Sequence, residues 1–318
     1  MSSFPSGWYQ IASSRELGAG AVRPLRYFGR DLVLFRTADG VAHALDAHCA
    51  HLGAHLGHGG RVEGECIRCP FHGWLYGAGG ECREAPGTAR VPPRATMRPW
   101  RVQESDGLIL MFYPRNAGEA ADFPAPRVAE VGAPDWTDFE EHRFTIRTHI
   151  QEIAENIVDP AHFSYVHGTV GTPETTVETR GPVLMSRSAT RMRTPRGEID
   201  ARIDADAHGL GLWLIRFSGI VETVLINANT PIDDETVDTR LSFLVRSPDG
   251  ARTPRGVGQA LIADVVRQVG EDIVIWEHKV YRSDPVFGAL DRSIVTLRRW
   301  AQQFYGESTA ATGSVPRT

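Results

Sequence analysis

The sequence lacks several features that would assign it to whole classes of protein. Its longest apolar runs, such as 107–113 and 210–215, are far shorter than the roughly 18 residues that a bilayer-spanning helix needs. The first seven residues show no basic and then apolar leader. Lysine is also almost absent: Lys279 is the one lysine among 34 basic residues. We therefore predict a cytoplasmic protein with no membrane span.

Charge and cysteine content narrow the partners and the chemistry. The formal net charge is -5 and the basic residues form no cluster, which argues against nucleic acid or an anionic membrane as the main partner. Four cysteines in 318 residues are too few for a disulfide scaffold, so a metal or redox use is favoured. The apolar share of 42% and the charged share of 23% are typical of a soluble globular chain.

The first 115 residues have the pattern of an all-β domain. Short strands alternate with turn residues, for example at 32–36 and 41–45, which flank the turn residues Asp39 and Gly40. A stretch rich in proline, alanine and glycine follows at 117–126. We predict a domain boundary there, with a first domain at 1–115.

The remaining residues mix long alternating segments with two helical segments near the C-terminus, so the chain as a whole is predicted to be α+β. We predict a second domain at 116–307 and a flexible tail at 308–318. The last helix is predicted to bury one stripe of side chains. The members of that stripe are Leu290, Ile294, Leu297, Ala301 and Phe304.

Two short loops each carry one thiol and one imidazole. Cys49 and His51 stand in the first loop, and Cys69 and His72 stand in the second. Because each loop supplies one ligand of each kind, one iron of a 2Fe-2S cluster can take both thiolates and the other both imidazoles. Replacing two thiolates by neutral imidazoles raises the cluster's reduction potential by several hundred millivolts, which suits the passing of single electrons to oxygen chemistry.

Other cysteines near these loops allow a second interpretation. Cys66 and Cys69 form a CxxC pair that could belong to a zinc knuckle or a redox pair, but no second CxxC exists and the two histidines would go unused. We favour Cys66 and Cys82 as plain buried thiols. The glycines near the ligands are expected to give the loops backbone freedom. These are Gly57, Gly59, Gly60 and Gly73.

A second group of possible metal ligands lies between residues 156 and 167. Asp159, His162 and His167 offer two imidazoles and a carboxylate, the ligand types of a non-haem Fe(II) that binds oxygen. Five residues separate the histidines, about 140° around an ideal helix, so we expect a helix end or a bulge there. Pro160 supports a break just before them. The alternative is two ordinary helix histidines.

The third ligand must come from elsewhere, and a helical pattern at 261–276 offers a candidate. Its apolar residues cover an arc of about 140°, and Asp272 falls inside this arc while Asp264 and Glu271 fall outside it. A carboxylate on a buried stripe is costly unless it is paired or bound to a metal. The alternative for Asp272 is a buried salt bridge, for example to an arginine.

Three segments together resemble the Rieske non-haem iron oxygenases. Residues 48–76 read HCAHLGAHLGHGGRVEGECIRCPFHGWLY and resemble the family's Rieske domain, whereas 155–167 and 271–276 resemble its iron-binding segments. The resemblance implies that Asp159 connects an iron-bound histidine to a cluster histidine of a neighbouring subunit, and that Asn156 lies near the iron. The alternative for Asn156 is a helix-capping or solvent-facing amide. The implied iron ligands are His162, His167 and Asp272, and the implied cluster ligands are Cys49, His51, Cys69 and His72.

The same resemblance implies an architecture and partners. We expect a β-sandwich Rieske domain followed by a helix-grip (START-like) catalytic domain, assembled as a homotrimer. The cofactors are a Rieske 2Fe-2S cluster and a mononuclear Fe(II). A separate NAD(P)H-dependent reductase, with or without a ferredoxin, is expected to supply electrons, since no GxGxxG nucleotide site is present in the sequence. O2 and an apolar small molecule are the expected substrates.

The loop motif and residues 287–305 look most like those of steroid oxygenases in this family, the 3-ketosteroid 9α-hydroxylase oxygenase components and the cholesterol 7-desaturases. We therefore expect a terminal oxygenase that hydroxylates or desaturates a steroid-like substrate. N-oxygenation or oxidative demethylation of an aromatic metabolite is the alternative reaction. The alternatives without catalysis are a Rieske electron carrier and a lipid-binding helix-grip protein. Apolar segments at 210–217 and 220–226 are expected to line a substrate channel or to form core.

Overall fold

The computed structural model describes residues 4–116, 118–169, 171–194 and 197–306, apart from the side chains at 190 and 192–194. The predicted tail at 308–318 lies outside these residues. The first half of the chain forms eleven short strands. They are β1 (Gly7–Ser13), β2 (Val22–Tyr27), β3 (Arg30–Arg36), β4 (Ala42–Asp46), β5 (Arg61–Glu63), β6 (Cys66–Arg68), β7 (Leu75–Gly77), β8 (Cys82–Glu84), β9 (Pro99–Trp100), β10 (Val102–Ser105) and β11 (Leu108–Tyr113).

The second half combines seven strands with four α-helices. The strands are β12 (Glu140–Arg147), β13 (Glu174–Arg180), β14 (Val183–Thr194), β15 (Gly197–His208), β16 (Leu212–Ser218), β17 (Thr223–Pro231) and β18 (Thr236–Val245). The helices are α1 (Ile150–Val158), α2 (His162–Val166), α3 (Val257–Trp276) and α4 (Arg292–Ala301). Single 3-10 turns occur at Ser14–Glu16 and Gln302–Phe304. The predicted α+β class is therefore confirmed.

Three antiparallel sheets make up the first half. Their strand orders are β1-β11-β10, β2-β3-β4-β9 and β5-β6-β7-β8. The hairpin predicted around Gly40 forms between β3 and β4, with Leu34 opposite Ala44, and Gly40 adopts the left-handed φ of 88° that its turn requires. A compact core of its own, which includes Phe35, Leu56 and Tyr76, lies under the loops that carry the cysteine and histidine pairs.

One large antiparallel sheet organises the second half, with the order β12-β18-β17-β16-β15-β14-β13. The long helix α3 packs on it so closely that a Cβ on Gly258 would stand 2.6 Å from Cγ1 of Val245. Strand β12 at one edge leads directly into α1, so the helices gather on the sheet beside α3. This sheet wrapped on a long helix is the helix-grip arrangement that the resemblance implied.

The two halves share one hydrophobic core. Trp8 on β1 and Trp213 on β16 are both about 1% exposed or less and belong to the same cluster of buried side chains. Polar contacts reinforce this junction, because the Tyr27 hydroxyl lies 2.6 Å from a carboxylate oxygen of Asp238, and Arg240 contacts Glu16 at 2.6 Å. The first-half sheet β1-β11-β10 is therefore fixed against the large sheet.

The prediction for the last helix is correct except at its start. Leu297, Ala301 and Phe304 are buried and Ile294 is half-buried, as the stripe requires. The prediction that Leu290 is buried on this helix is wrong, because α4 begins at Arg292 and Leu290 stands in the preceding turn with 61% of its surface exposed. In the part of the chain that the structure describes, no helix combines the length and the apolar character that a bilayer crossing demands.

Candidate metal centres

The two cysteine and histidine loops have the same backbone geometry. The carbonyl of Cys49 accepts from the N–H of Gly53 at 2.9 Å, and the carbonyl of Cys69 accepts from the N–H of Gly73 at 3.2 Å. Both glycines adopt a left-handed φ, 75° for Gly53 and 70° for Gly73, which a side chain would disfavour. The prediction included Gly73 but missed Gly53, whose position four residues after the first cysteine matches that of Gly73 after the second.

The folded loops place the thiols inside and the imidazoles outside. Cys49 and Cys69 are each 3% exposed and form no disulfide, whereas His51 and His72 are exposed with ring centroids 4.8 Å apart. The Tyr76 hydroxyl contacts the Cys49 sulfur at 3.1 Å, and the Trp74 ring stacks on His51. Two buried thiols and two neighbouring imidazoles fit a 2Fe-2S cluster whose two irons take different ligands.

The remaining cysteines stand apart from this arrangement. All four cysteines are free; Cys66 is buried on β6, and Cys82 is half-buried on β8 with its thiol donating to the Glu84 carbonyl at 3.2 Å. Burial raises the pKa of both the Cys66 and the Cys82 thiols, which favours the neutral form rather than a thiolate. These contacts agree with the prediction of plain thiols, although Cys82 is only partly buried.

The second group of ligands is placed by the helix break that the sequence predicted. Helix α1 ends at Val158, and Asp159 adopts an extended backbone immediately before Pro160. The chain then turns into α2, which is five residues long, so that His162 is its first residue and His167 follows its last. The short helix brings the two rings to a centroid distance of 5.2 Å, which an undistorted helix would not allow.

Asp272 on α3 completes a group of three. One ligand atom each from His162, His167 and Asp272 lies within 4.8 Å of the other two, and Nε2 of His167 stands 3.3 Å from a carboxylate oxygen of Asp272. Asp272 is 5% exposed, and its ion-pair partner among the described residues is His167, so the arginine form of the salt-bridge alternative does not apply. Two imidazoles and one buried carboxylate fit a mononuclear Fe(II) with open coordination positions.

Asn156 and Asp159 both contact this group. The Nδ2 of Asn156 donates to a carboxylate oxygen of Asp272 at 3.1 Å and lies 3.3 Å from Nε2 of His162. The alternative of a solvent-facing amide is therefore wrong for Asn156. A carboxylate oxygen of Asp159 lies 3.5 Å from Nδ1 of His162, a buried nitrogen that has no other partner in the described chain. The carboxylate is thus the acidic group nearest to that nitrogen, where such groups orient metal-binding imidazoles.

Glu271 is a neighbour of the group that the helical pattern did not identify. Its carboxylate lies 2.9 Å from Nδ1 of His167, the ring nitrogen opposite the one that faces Asp272. Burial acts to lower the pKa of His167, but the hydrogen bonds to Asp272 and Glu271 outweigh it and raise that pKa. Arg267 pairs with the same glutamate from one turn earlier on α3. The sequence feature that could have identified Glu271 is its position directly before Asp272.

A charged cavity adjoins one side of the group. Asn156 and Asp272 line it together with Glu152, which is 3% exposed and contacts Lys279, the only lysine of the chain. Burial raises the pKa of Glu152 in spite of this ion pair. On the same helix, Glu155 is held by Arg298 at 2.7 Å. These two pairs neutralise the acidic face of α1.

An apolar cavity of about 670 Å³, including its open mouth, adjoins the other side. It lies between the large sheet and α3 and contacts His162, His167 and Asp272 directly. The apolar segments at 210–217 and 220–226 contribute residues both to the wall of this cavity and to the core. Ile215, Phe217 and Leu225 line the cavity, whereas Leu212 and Ile226 are fully buried core. The enclosed part of the cavity is about 120 Å³, and its lining is that of a site for an apolar ligand.

Comparisons with known proteins match both halves of the chain. A family model described as the Rieske [2Fe-2S] domain matches residues 7–95, and one described as the 3-Ketosteroid 9alpha-hydroxylase C-terminal domain matches residues 112–305. A 3-ketosteroid-9-alpha-monooxygenase oxygenase component from Rhodococcus rhodochrous is 30% identical over 318 residues, covering 95% of this chain and 80% of the relative. A cholesterol 7-desaturase from Bombyx mori is 31% identical over 330 residues, covering 96% and 70%.

Solved structures give the same architecture at lower identity. Dicamba monooxygenase bound to dicamba has a TM-score of 0.76 at 19% identity and covers 93% of this chain and 96% of its own. Pseudomonas putida CBB5 NdmA with caffeine has a TM-score of 0.77 at 19% identity and covers 93% and 89%. At this identity the likeness shows the fold alone.

Proposed function

The chain belongs to the Rieske non-haem iron oxygenases, and from that premise we propose that it hydroxylates or desaturates an apolar, steroid-like molecule. It is an oxidoreductase, the terminal oxygenase component of a system in which a reductase supplies electrons. Its cofactors are a Rieske 2Fe-2S cluster and a mononuclear iron.

We assign the cofactors to named side chains. The cluster is held by Cys49, His51, Cys69 and His72. The mononuclear iron is held by His162, His167 and Asp272, while Asp159 and Asn156 orient His162 and Asp272. The support for the iron ligands is their mutual distance, within 4.8 Å, combined with a donor set that suits Fe(II). With these assignments the domains are those proposed from the sequence, 1–115 and 116–307.

The substrate class rests on one observation, the apolar cavity that opens directly onto His162, His167 and Asp272. The names of the relatives, which act on 3-ketosteroids and cholesterol, point the same way. Hydroxylation consumes one C–H bond, one O2, two electrons and two protons, and it forms an alcohol and one water. When bound, the cluster passes single electrons and the iron activates O2. The cavity holds the C–H bond next to the ligand residues and excludes water from it.

We also propose a homotrimer in which the cluster of one subunit serves the iron of the next. The support is the exposed position of His51 and His72, whose loops also expose Leu52 by 65% and Phe71 by 61%. Apolar side chains exposed beside functional ligands suit a surface that another protein covers. A cytoplasmic location and a ferredoxin between reductase and oxygenase stay predictions.

The test is turnover of the reconstituted protein with a surrogate reductase, NADH and isotopically labelled O2. Separate reactions contain a steroid, an aromatic amine and a methyl ether, and the products are identified by mass. We expect a steroid product that carries one labelled oxygen or has lost two hydrogens. Oxidation of the amine or the ether alone would contradict the steroid assignment, and the absence of any O2-dependent product would contradict the oxygenase assignment for this chain.

A further inference from the structure

The apolar cavity contains a polar side chain that the ligand group does not use. Apart from Asn156 and the three ligand residues, its described lining has two polar side chains, Asn227 on β17 and Gln268 on α3. Asn227 is 8% exposed and sits in a wall that is otherwise aliphatic and aromatic. An amide in such a place is costly unless it has a partner.

A chain of hydrogen bonds in the sheet holds this amide. The hydroxyl of Thr239 donates to Oδ1 of Asn229 at 2.9 Å, and Nδ2 of Asn229 donates to Oδ1 of Asn227 at 2.8 Å. Asn229 and Thr239 face each other on β17 and β18 and are each 1% exposed. Because the carbonyl oxygen of Asn227 accepts from Asn229, its Nδ2 is directed away from the sheet network. No described residue accepts from that Nδ2.

The hydroxyl of Thr239, at the end of this series of hydrogen bonds, determines which group donates and which accepts in each bond. If both amides were rotated, Asn229 would donate to Thr239, and the buried hydroxyl hydrogen of Thr239 would lose its only acceptor among the described residues. Leaving a buried donor unpaired costs about 1–3 kcal/mol. The observed direction pairs the hydroxyl of Thr239 and the side-chain carbonyl oxygens of Asn229 and Asn227, and it leaves the Nδ2 group of Asn227 as a donor for a ligand in the cavity.

Gln268 on the opposite wall does not compete for this role. Its Nε2 donates to a carboxylate oxygen of Asp264 at 2.8 Å, an orientation that is forced because a carboxylate only accepts. Its remaining polar atom is therefore an acceptor on a half-buried side chain, which water satisfies without a ligand. The donor on Asn227 is the group whose pairing depends on what occupies the cavity.

We propose that Asn227 selects the substrate by donating a hydrogen bond from Nδ2 to a carbonyl oxygen on an otherwise apolar molecule, and that Thr239 and Asn229 keep this donor in place. The inference rests on the proposed function and names the residue that recognises a carbonyl group of its substrate. Asn227 is a specificity residue, and Thr239 is a positioning residue that does not reach the cavity.

The experiment measures ligand binding to the full-length holoprotein, kept oxidised and without O2 or reductase, so that turnover plays no part. A steroid ketone is compared with the same skeleton in which the carbonyl is reduced to a methylene, and binding is followed by calorimetry and by the fluorescence of Trp276, which lines the cavity. We expect the ketone to bind about tenfold more tightly or better, as one hydrogen bond to a desolvated donor allows.

Three variants locate the origin of that preference. Asn227→Leu, of similar size, and Asn227→Asp, of the same shape but with an acceptor in place of the donor, are both expected to abolish the ketone preference. Thr239→Val is expected to reduce it severalfold, because the amides can then rotate. The matched control is Thr230→Val on β17, whose hydroxyl donates to the Gln10 carbonyl outside this network and whose loss is expected to leave the preference unchanged.

The outcomes separate this inference from the function on which it rests. Equal binding of ketone and methylene compound to the unaltered protein would overturn the role of Asn227 and leave the proposed apolar substrate intact. A ketone preference that persisted in both folded Asn227 variants would overturn it as well. If neither compound bound, the steroid-like substrate itself would be wrong, and the inference with it.

Discussion

The cluster loops and the iron site differ in how far apart along the chain their residues lie. Both loops fall within residues 49–72, and each repeats the same turn, with a left-handed glycine four residues after its cysteine. The iron site joins two histidines around α2 to Asp272 on α3, and neither element alone could hold a metal. The first site therefore depends on local turns, whereas the second depends on the packing of helices on the large sheet. Variants that remove one site should spare the other.

The largest expected effect is that of Asp272→Ala. The protein should lose the mononuclear iron and all substrate oxidation, because two imidazoles alone hold Fe(II) weakly. The visible absorption of the cluster should persist, since the partners of Asp272 in the described chain, Asn156 and His167, lie outside the two cysteine and histidine loops. Iron analysis and absorption spectra check both points. Asp249→Ala, an exposed carboxylate before α3, serves as the control and should retain all its iron. Turnover by the Asp272 variant would refute its role.

The reverse experiment is His72→Ala. This exposed imidazole can be removed with little loss of packing, so the fold should survive while the cluster spectrum disappears or becomes that of a labile cluster. The mononuclear site should still take up iron, and oxidation should stop because electrons no longer arrive. An unaltered Rieske spectrum in this variant would show that His72 is not a ligand.

The same contrast explains what the sequence could predict. The pairing of one thiol with one imidazole in each loop, the break at Pro160 and the buried place of Asp272 all follow from local spacing or from one helical pattern. Glu271 was missed because its contact with His167 arises only when α2 packs against α3, and a pattern along one helix does not contain the neighbouring element. The shared core of the two halves was missed for the same reason, since Trp8 and Trp213 become part of one buried cluster only in the folded protein.

A smaller effect is expected from Glu271→Gln, which weakens the hold on the His167 ring without removing a ligand. Loss of such an outer contact typically lowers metal affinity about 10- to 100-fold. Iron titration of protein that keeps its cluster but has lost the mononuclear iron measures this, and the cluster should be unaffected. Glu222→Gln, a surface glutamate paired with Arg246, is the control. An affinity equal to that of the unaltered protein would mean that Glu271 does not support the site.

The smallest effect on either site is expected from Glu16→Gln, which acts at the junction of the two halves. Burial acts to raise the pKa of Glu16, but the Ser13 N–H and Arg240 outweigh it and lower that pKa from 4.5 to about 2. A lowered pKa stabilises the fold above pH 4.5, and this contribution is lost as the pH falls towards 2. The variant should be less stable by up to about 3 kcal/mol at neutral pH.

Denaturant unfolding at several pH values checks this, because the difference between the two proteins should shrink as the pH falls through that range. A difference that is constant with pH would show that the charge of Glu16 is not what stabilises the junction. Both metal sites should load normally in the folded variant.

Metal and sulfide analysis of the protein reconstituted under anaerobic conditions, combined with electron paramagnetic resonance, tests the central claim most directly. Two separate iron sites on one chain predict the spectrum of a reduced Rieske cluster together with one further iron per chain that the cluster does not account for, and Asp272→Ala should remove that iron alone. Zinc in place of iron, or iron in the amount of the cluster only, would contradict it.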